Sequence, residues 1–100
     1  MPIEDEPRYR LEVVAQMLNL PPATIRRYER RGLISSARLR RERIYSERAL
    51  LRLKRIVLVT ELGVNLAGAE VVCNLLERLE AKETELQGTR EQLRRLLEEP

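Results

Sequence analysis

Residues 19–34 read Asn-Leu-Pro-Pro-Ala-Thr-Ile-Arg-Arg-Tyr-Glu-Arg-Arg-Gly-Leu-Ile and contain the signals for the end of one helix and the start of another. Asn19 is of a residue type that ends helices in the left-handed conformation, and the Pro-Pro pair that follows prevents continuation. Pro22 suits the first turn of a second helix, and Gly32 suits the position just beyond its end. The segment therefore predicts a tight turn of about three or four residues and a second helix over roughly residues 22–31.

The helix before this turn is marked by its apolar spacing. Leu11, Val14, Ala15 and Leu18 recur at positions i, i+3, i+4 and i+7, which predicts a short helix from near Leu11 to about Asn19. Two such helices and their turn form a helix-turn-helix, whose second helix enters the major groove in DNA-binding proteins. The exposed side of the second helix would carry Thr24, Arg26, Arg27 and Arg30.

A basic β-hairpin is expected after the second helix. Residues 35–45 alternate at Leu39 and Ile44, which predicts two short strands around Arg40-Arg41-Glu42, the arrangement called a wing. This turn lacks the Gly or Asn that two-residue hairpin turns favour. The alternatives are a longer loop or a wing that is partly mobile until it binds.

A third helix should begin after Ser46, which is a good N-cap residue. The apolar spacing places Leu50, Leu53, Val57 and also Leu58 on its inner side. The helix is expected to end at Gly63, because glycine readily adopts the left-handed conformation that terminates helices.

The fourth helix begins after Asn65 and continues to the last leucines, with Gly88 as a weak point. Heptad positions a and d carry a leucine-rich but interrupted stripe, which predicts a dimeric coiled coil. A helix folded back on its own domain is the alternative, but about 30 residues form a rod of roughly 45 Å, too long for so small a domain. The dimerisation residues predicted are Val72, Leu75, Leu79, Leu86 and Leu93.

These elements divide the chain into three parts. Residues 1–8, with two prolines and three acids, are expected to form a flexible N-terminal lead-in. Residues 9–63 would form the helix-turn-helix and wing, and residues 64–100 the dimerisation helix. The fold class predicted is mainly α, with a small β-wing and a long C-terminal helix.

Basic residues are concentrated in the first part of the chain. Residues 1–60 hold 14 Arg and Lys against 7 Asp and Glu, whereas residues 61–100 hold 5 against 9. Within residues 23–56 there are 12 basic and 3 acidic residues, so few arginines have a glutamate at helical spacing. A solvated helix face is the ordinary explanation of such a run, but this density favours a partner with a phosphate backbone.

Composition restricts the chemistry available to the chain. Its 100 residues, 35% charged and only 3% aromatic, support one compact helical domain with an aliphatic core. Because the chain has no His, catalytic triads and imidazole metal ligands are excluded. Cys73, the single cysteine, is expected to be a small buried residue, with a thiolate site shared by two subunits as the alternative. We therefore predict neither an enzyme nor a cofactor or metal.

The start of the chain is acidic rather than basic and apolar. Glu4, Asp5 and Glu6 stand where a signal peptide would carry basic and then apolar residues. The chain also has no apolar run long enough to span a membrane. We expect a cytoplasmic protein without a membrane partner.

Several motifs together resemble the MerR-type winged helix-turn-helix regulators. They are residues 11–15 (Leu-Glu-Val-Val-Ala), residues 22–34 and residues 43–47 (Arg-Ile-Tyr-Ser-Glu). Residues 61–70 (Glu-Leu-Gly-Val-Asn-Leu-Ala-Gly-Ala-Glu) are similar to the segment after the third helix in the HspR heat-shock repressor subgroup. The resemblance implies a homodimer with antiparallel C-terminal helices, bound to a pseudo-palindromic operator in double-stranded DNA.

The resemblance and the residue chemistry together define the expected contacts with DNA. By position, Thr24, Arg26 and Tyr28 match the recognition-helix motif, and Arg43 and Tyr45 match the wing motif. Tyr28 has an alternative role as a half-buried ring against the first helix. Independently of the resemblance, a threonine near a helix N-terminus can contact phosphate or a base edge, and an exposed arginine can form a forked contact with guanine. The arginine expected to make this forked contact is Arg27, and Arg30 is a further DNA-binding residue of the helix. Arg38, Arg40 and Arg41 of the wing are expected to contact phosphates or a narrow minor groove. Glu29 is expected to be a structural partner of an arginine.

Two functions are consistent with these features. The first is a DNA-binding repressor of heat-shock genes in the bacterial nucleoid, for which the resemblance implies the chaperone DnaK as a possible co-repressor. The chain is too short for an effector domain, so no small-molecule effector is expected. The alternative is a small chaperone modulator of the CbpM type, which binds a J-domain co-chaperone. J-domains present a basic helix, so a modulator should offer an acidic face, whereas this helix-turn-helix is basic.

Overall fold

The computed structural model of the chain describes residues 3–98, which form four helices and a three-stranded antiparallel sheet. This mainly helical architecture with a small sheet and a long last helix confirms the predicted fold class. The helices are α1 (Leu11–Leu18), α2 (Pro22–Arg30), α3 (Glu47–Glu61) and α4 (Leu66–Glu98). The strands are β1 (Tyr9–Arg10), β2 (Ala37–Leu39) and β3 (Glu42–Tyr45), in the order β1-β3-β2.

The turn between α1 and α2 has the predicted chemistry. Asn19 has a φ of 54° and lies in the left-handed region, and the Leu20 N–H donates to the Ala15 carbonyl at 3.0 Å. Pro21 is extended and Pro22 is the first residue of α2. The N–H of the first residue of a helix has no acceptor within the helix, so proline, which lacks this group, costs no helical hydrogen bond here.

The hairpin closes with a two-residue turn rather than a longer loop. Leu39 pairs with Glu42 across the strands, which leaves Arg40 and Arg41 as the turn. Arg40 has a φ of 61°, a conformation that Gly or Asn usually supplies. Strand pairing therefore imposes on this arginine a backbone conformation that its residue type disfavours.

α3 begins as predicted but faces the core with a different set of residues. The Ser46 hydroxyl accepts a hydrogen bond from the Ala49 N–H at 3.1 Å, as expected of an N-cap. Ile56 is fully buried, whereas Val57 is only partly buried and Leu58 is 62% exposed. The prediction that Leu58 faces inward is therefore wrong. Ile56 follows Leu53 by three residues, so at 3.6 residues per turn it lies on the same side, and Leu58 lies well away from it.

One hydrophobic core joins the helix-turn-helix, the hairpin and the α3–α4 pair. Its largest fully buried side chains are Tyr45, Ile25, Leu53, Ile56, Val14 and Cys73. Cys73 packs here as the small apolar residue predicted, and burial raises the pKa of its thiol. The core is aliphatic apart from tyrosine, in agreement with the composition.

Residues 3–8 of the predicted lead-in contact α3 and β3. A 3₁₀ turn spans Ile3–Asp5, and Asp5 forms an ion pair with Arg48. The Arg8 N–H donates to the Tyr45 carbonyl at 3.0 Å, and the Arg8 guanidinium pairs with Glu47 at 3.1 Å. None of the Ile3–Asp5 residues is buried. Residues 1 and 2 of the predicted lead-in, like residues 99 and 100 of the predicted dimerisation helix, lie outside the described residues.

α4 extends far beyond the rest of the molecule. Its 33 residues correspond to a rod of about 50 Å, and the longest dimension of the structure is 59 Å. The part before residue 81 packs against α3, and residues 81–90 are exposed throughout. Gly88 does not interrupt the helix. Within residues 3–98, no helix combines the length and the apolar content needed to cross a membrane.

Candidate nucleic-acid interface

α2 presents one side to the core and the other to solvent. Ile25 and Tyr28, one turn apart, are both buried. Thr24 lies in the first turn and is partly exposed. The remaining side of the helix carries the exposed arginines Arg26, Arg27 and Arg30.

The hairpin places further arginines beside those of α2. Arg38, Arg40 and Arg41 are exposed on β2 and the turn. Arg41 and Arg26 line one shallow cleft between α2 and the hairpin. The structure thus brings the predicted recognition helix and the predicted wing together on one basic surface.

The arginines of this surface carry uncompensated charge. Six arginines of this surface have no carboxylate oxygen within 4.0 Å of their guanidinium groups among residues 3–98. They are Arg26, Arg27, Arg30, Arg38, Arg40 and Arg41. A cluster of unpaired guanidinium groups repels itself and attracts anions, so it favours a polyanionic ligand.

The arginines of α3 that face α4 are paired instead. Arg52 bonds Glu77 and also donates to the Leu33 carbonyl and the Asn74 side chain. Arg55 forms two hydrogen bonds with Glu80, at 2.9 and 2.8 Å, which lower the pKa of the Glu80 carboxyl. These charges therefore hold α3 to α4 and are neutralised within the chain.

Three of the residues predicted to contact DNA have packing or pairing partners within the fold. The Tyr45 ring is fully buried in the core, so a DNA contact by this residue is contradicted. Tyr28 is only 8% exposed, and the Arg27 guanidinium lies 5.7 Å from the centre of its ring. This burial agrees with the alternative role of Tyr28 as a ring packed within the fold. Arg43 is partly buried in an ion pair with Glu29. The two tyrosines support the surface from beneath, whereas Arg43 also lines the cleft that holds Arg26 and Arg41.

Glu29 is the common partner of Tyr45, Ser36 and Arg43, and its predicted role as the structural partner of an arginine is confirmed. Its carboxylate accepts hydrogen bonds from the Tyr45 hydroxyl at 2.8 Å, the Ser36 hydroxyl at 2.9 Å and the Arg43 guanidinium. Burial and the bond to Glu29 raise the pKa of Tyr45 far above its usual range, so its hydroxyl remains a donor. The sequence could not reveal these partners, because they are 7 to 16 residues away along the chain.

Two further basic residues, next to α2 and to the hairpin, were not predicted. Arg31 is exposed just after α2, and Arg10 on β1 pairs with Glu42 of the hairpin at 3.3 Å. Arg31 is the last residue of the predicted recognition helix, so its position was a usable signal. No signal in the sequence places Arg10 beside the hairpin.

A helix-turn-helix followed by a β-hairpin that packs beside its second helix defines a winged helix-turn-helix protein. Residues 9–76 match the family model described as MerR HTH family regulatory protein, and the chain belongs to this family. A Streptomyces coelicolor protein named heat shock protein HspR is 39% identical to it over 88 residues. That alignment covers 83% of this chain and 58% of the relative, so the chain spans less than two thirds of the relative's length.

Proposed function

We propose that this chain is a sequence-specific DNA-binding regulator of transcription. The observation that carries the proposal is the single surface on which α2 and the hairpin expose arginines without carboxylate partners. Membership of the MerR family supports the same function. α2 is the element for the major groove, and the hairpin is the element for the DNA backbone.

The exposed residues have distinct roles in this proposal. Thr24 lies in the first turn of α2, where it can reach a phosphate or a base edge, and Arg27 can bind guanine through two hydrogen bonds. Arg26 and Arg30 flank it on the same exposed side. The hairpin residues that contact phosphates or a narrow minor groove are Arg38, Arg40 and Arg41.

The proposed active form is a homodimer joined through α4. Leu75, Leu79, Leu86 and Leu93 are exposed, although leucines at this spacing normally bury themselves against a second helix. Val72 lies at the start of this stripe and is partly buried. A twofold dimer presents two copies of α2 and therefore matches an inverted-repeat operator. In this division residues 9–63 bind DNA and residues 64–100 dimerise.

The regulated genes are proposed to be heat-shock or chaperone genes, with the chain acting as a repressor on the nucleoid in the cytoplasm. Support comes from the relative named heat shock protein HspR. The same proposal includes the chaperone DnaK as co-repressor. It also includes control without a small-molecule effector.

The first experiment selects bound sequences from a random double-stranded DNA library at near-physiological salt. We expect an inverted repeat, bound with a steep dependence on salt because several phosphate contacts release counterions. Failure to enrich any sequence would overturn the proposal in this form, in favour of a chaperone modulator that binds a J-domain co-chaperone or of a DNA-binding protein that needs a partner.

Two sets of substitutions should separate base recognition from phosphate binding. Arg27→Ala is expected to change the preferred sequence at one position, at a cost of about 1–3 kcal/mol for the selected site. Arg40→Ala with Arg41→Ala should weaken binding to all sequences and lower the slope of log affinity against log salt by about 2. Fluorescence anisotropy over a salt series measures both. If neither variant affects binding, α2 and the hairpin are not the DNA-binding surface.

A further inference from the structure

Glu29 makes every hydrogen bond that joins α2 to the hairpin strands within residues 3–98. Its Oε1 accepts from Tyr45, and its Oε2 accepts from Arg43, both of which belong to β3. Oε2 also accepts from Ser36, in the segment that leads from α2 to β2. The connection between the two proposed DNA-binding elements therefore converges on one carboxylate.

The hydrogen bonds of the Glu29 carboxylate are strengthened by its partly buried surroundings. The Glu29 side chain is 16% exposed and that of Arg43 is 30% exposed, so water competes weakly for both. Partial burial of a charge is costly unless hydrogen bonds compensate it, and three donors do so here. Tyr45 anchors one of these bonds in the core, because its ring has no exposure to solvent.

The hydrogen bonds of Glu29 also fix the position of β3, the strand paired with the one that carries Arg38. Arg43 is the cross-strand neighbour of Arg38, and the Arg40-Arg41 turn joins their strands. A movement of β3 relative to α2 would therefore move all three hairpin arginines relative to Arg26, Arg27 and Arg30.

We infer that Glu29 is a positioning residue, which holds the hairpin at a fixed place beside α2 so that both elements bind one stretch of DNA together. It has no contact with DNA itself. The inference rests on the proposed function and deepens it: binding by the hairpin depends on a residue of the recognition helix.

A double-mutant cycle on the selected DNA site tests this dependence. Glu29→Gln preserves the size of the side chain but removes its charge, and it is expected to weaken binding about 10-fold. R40A/R41A weakens binding by some factor in the wild type. In the E29Q background, that factor should be at least three times smaller. In this background R40A/R41A should also lower the salt slope by less than 1, against about 2 in the wild type, because the hairpin no longer holds its place on the phosphates.

Two further variants separate positioning from loss of stability. Ile56→Val removes one methylene group from the core without touching Glu29, and its cycle with R40A/R41A should be additive within a factor of two. Tyr45→Phe removes one bond to Glu29 but keeps the charge and the ring, so it should reproduce the E29Q result in weaker form. If circular dichroism shows that E29Q is unfolded at the assay temperature, Tyr45→Phe takes its place in the double-mutant cycle.

The outcomes distinguish the inference from the function on which it rests. If the wild type binds no DNA, the proposed function fails. If the wild type binds but the cycles with E29Q and Y45F are additive, as with I56V, the positioning role is overturned and DNA binding stands.

Discussion

Replacing Leu86 and Leu93 by lysine is expected to produce a folded monomer that binds an inverted-repeat operator at least 100-fold more weakly. The two leucines are 53% and 56% exposed, so the substitutions remove no packing within the chain itself. In a coiled-coil dimer, however, each lysine would bring a charge into the apolar interface. A monomer loses the gain from joining two half-site contacts, which is commonly about 10²–10⁴ in affinity.

Sedimentation equilibrium gives the mass, and anisotropy with the operator gives the affinity. The matched control is Thr84→Lys with Gln87→Lys, which adds the same charge at heptad positions away from the stripe and should leave the dimer intact. These substitutions are cleaner than ending the chain after Leu79, which would also remove Glu80, the partner of Arg55. A Leu86→Lys, Leu93→Lys variant that remains dimeric at low micromolar concentration would place the interface elsewhere.

Ile56→Ala is expected to lower the free energy of unfolding by about 2–5 kcal/mol, the usual cost of emptying a fully buried site. Such a loss is a large part of the total stability of a small domain, which is about 5–15 kcal/mol. Leu58→Ala, two residues away, should cost no more than about 0.5 kcal/mol because its side chain is mostly in solvent.

Urea unfolding followed by circular dichroism measures both changes. The comparison is best made in the Leu86→Lys, Leu93→Lys background, because dimerisation would otherwise make stability depend on concentration. Equal losses for the two variants would contradict the orientation of α3 described above.

Helix ends could be predicted from the sequence because their signals act within a few residues. Asn19, Pro22, Gly32 and Ser46 each favour a backbone conformation or a cap that neighbouring atoms provide. The side of α3 that faces the core was harder to predict than the helix ends. Its apolar residues Leu50, Leu53, Ile56, Val57 and Leu58 fit more than one helical stripe, and only packing against the other elements selects between them.

The candidate site was predictable to a similar extent. A dense run of arginines indicates a basic surface, but the sequence does not show which arginines are paired. Arg52 and Arg55 lie 25 residues from their carboxylate partners, so only the packing of α3 against α4 brings the charges together. Tyr45 was assigned to DNA by its place in a motif, whereas its role in the fold depends on contacts far apart in the chain.

The burial of Cys73 makes the chain convenient for labelling chemistry. It is the only cysteine, it has no exposed surface, and burial raises the pKa of its thiol, so it holds little of the thiolate that reacts with maleimides. A cysteine introduced at the tip of the hairpin would therefore react first, and spin labels or fluorophores could be attached there without removing the native residue. The slow reaction of Cys73 itself would then report how often the α3–α4 pair opens.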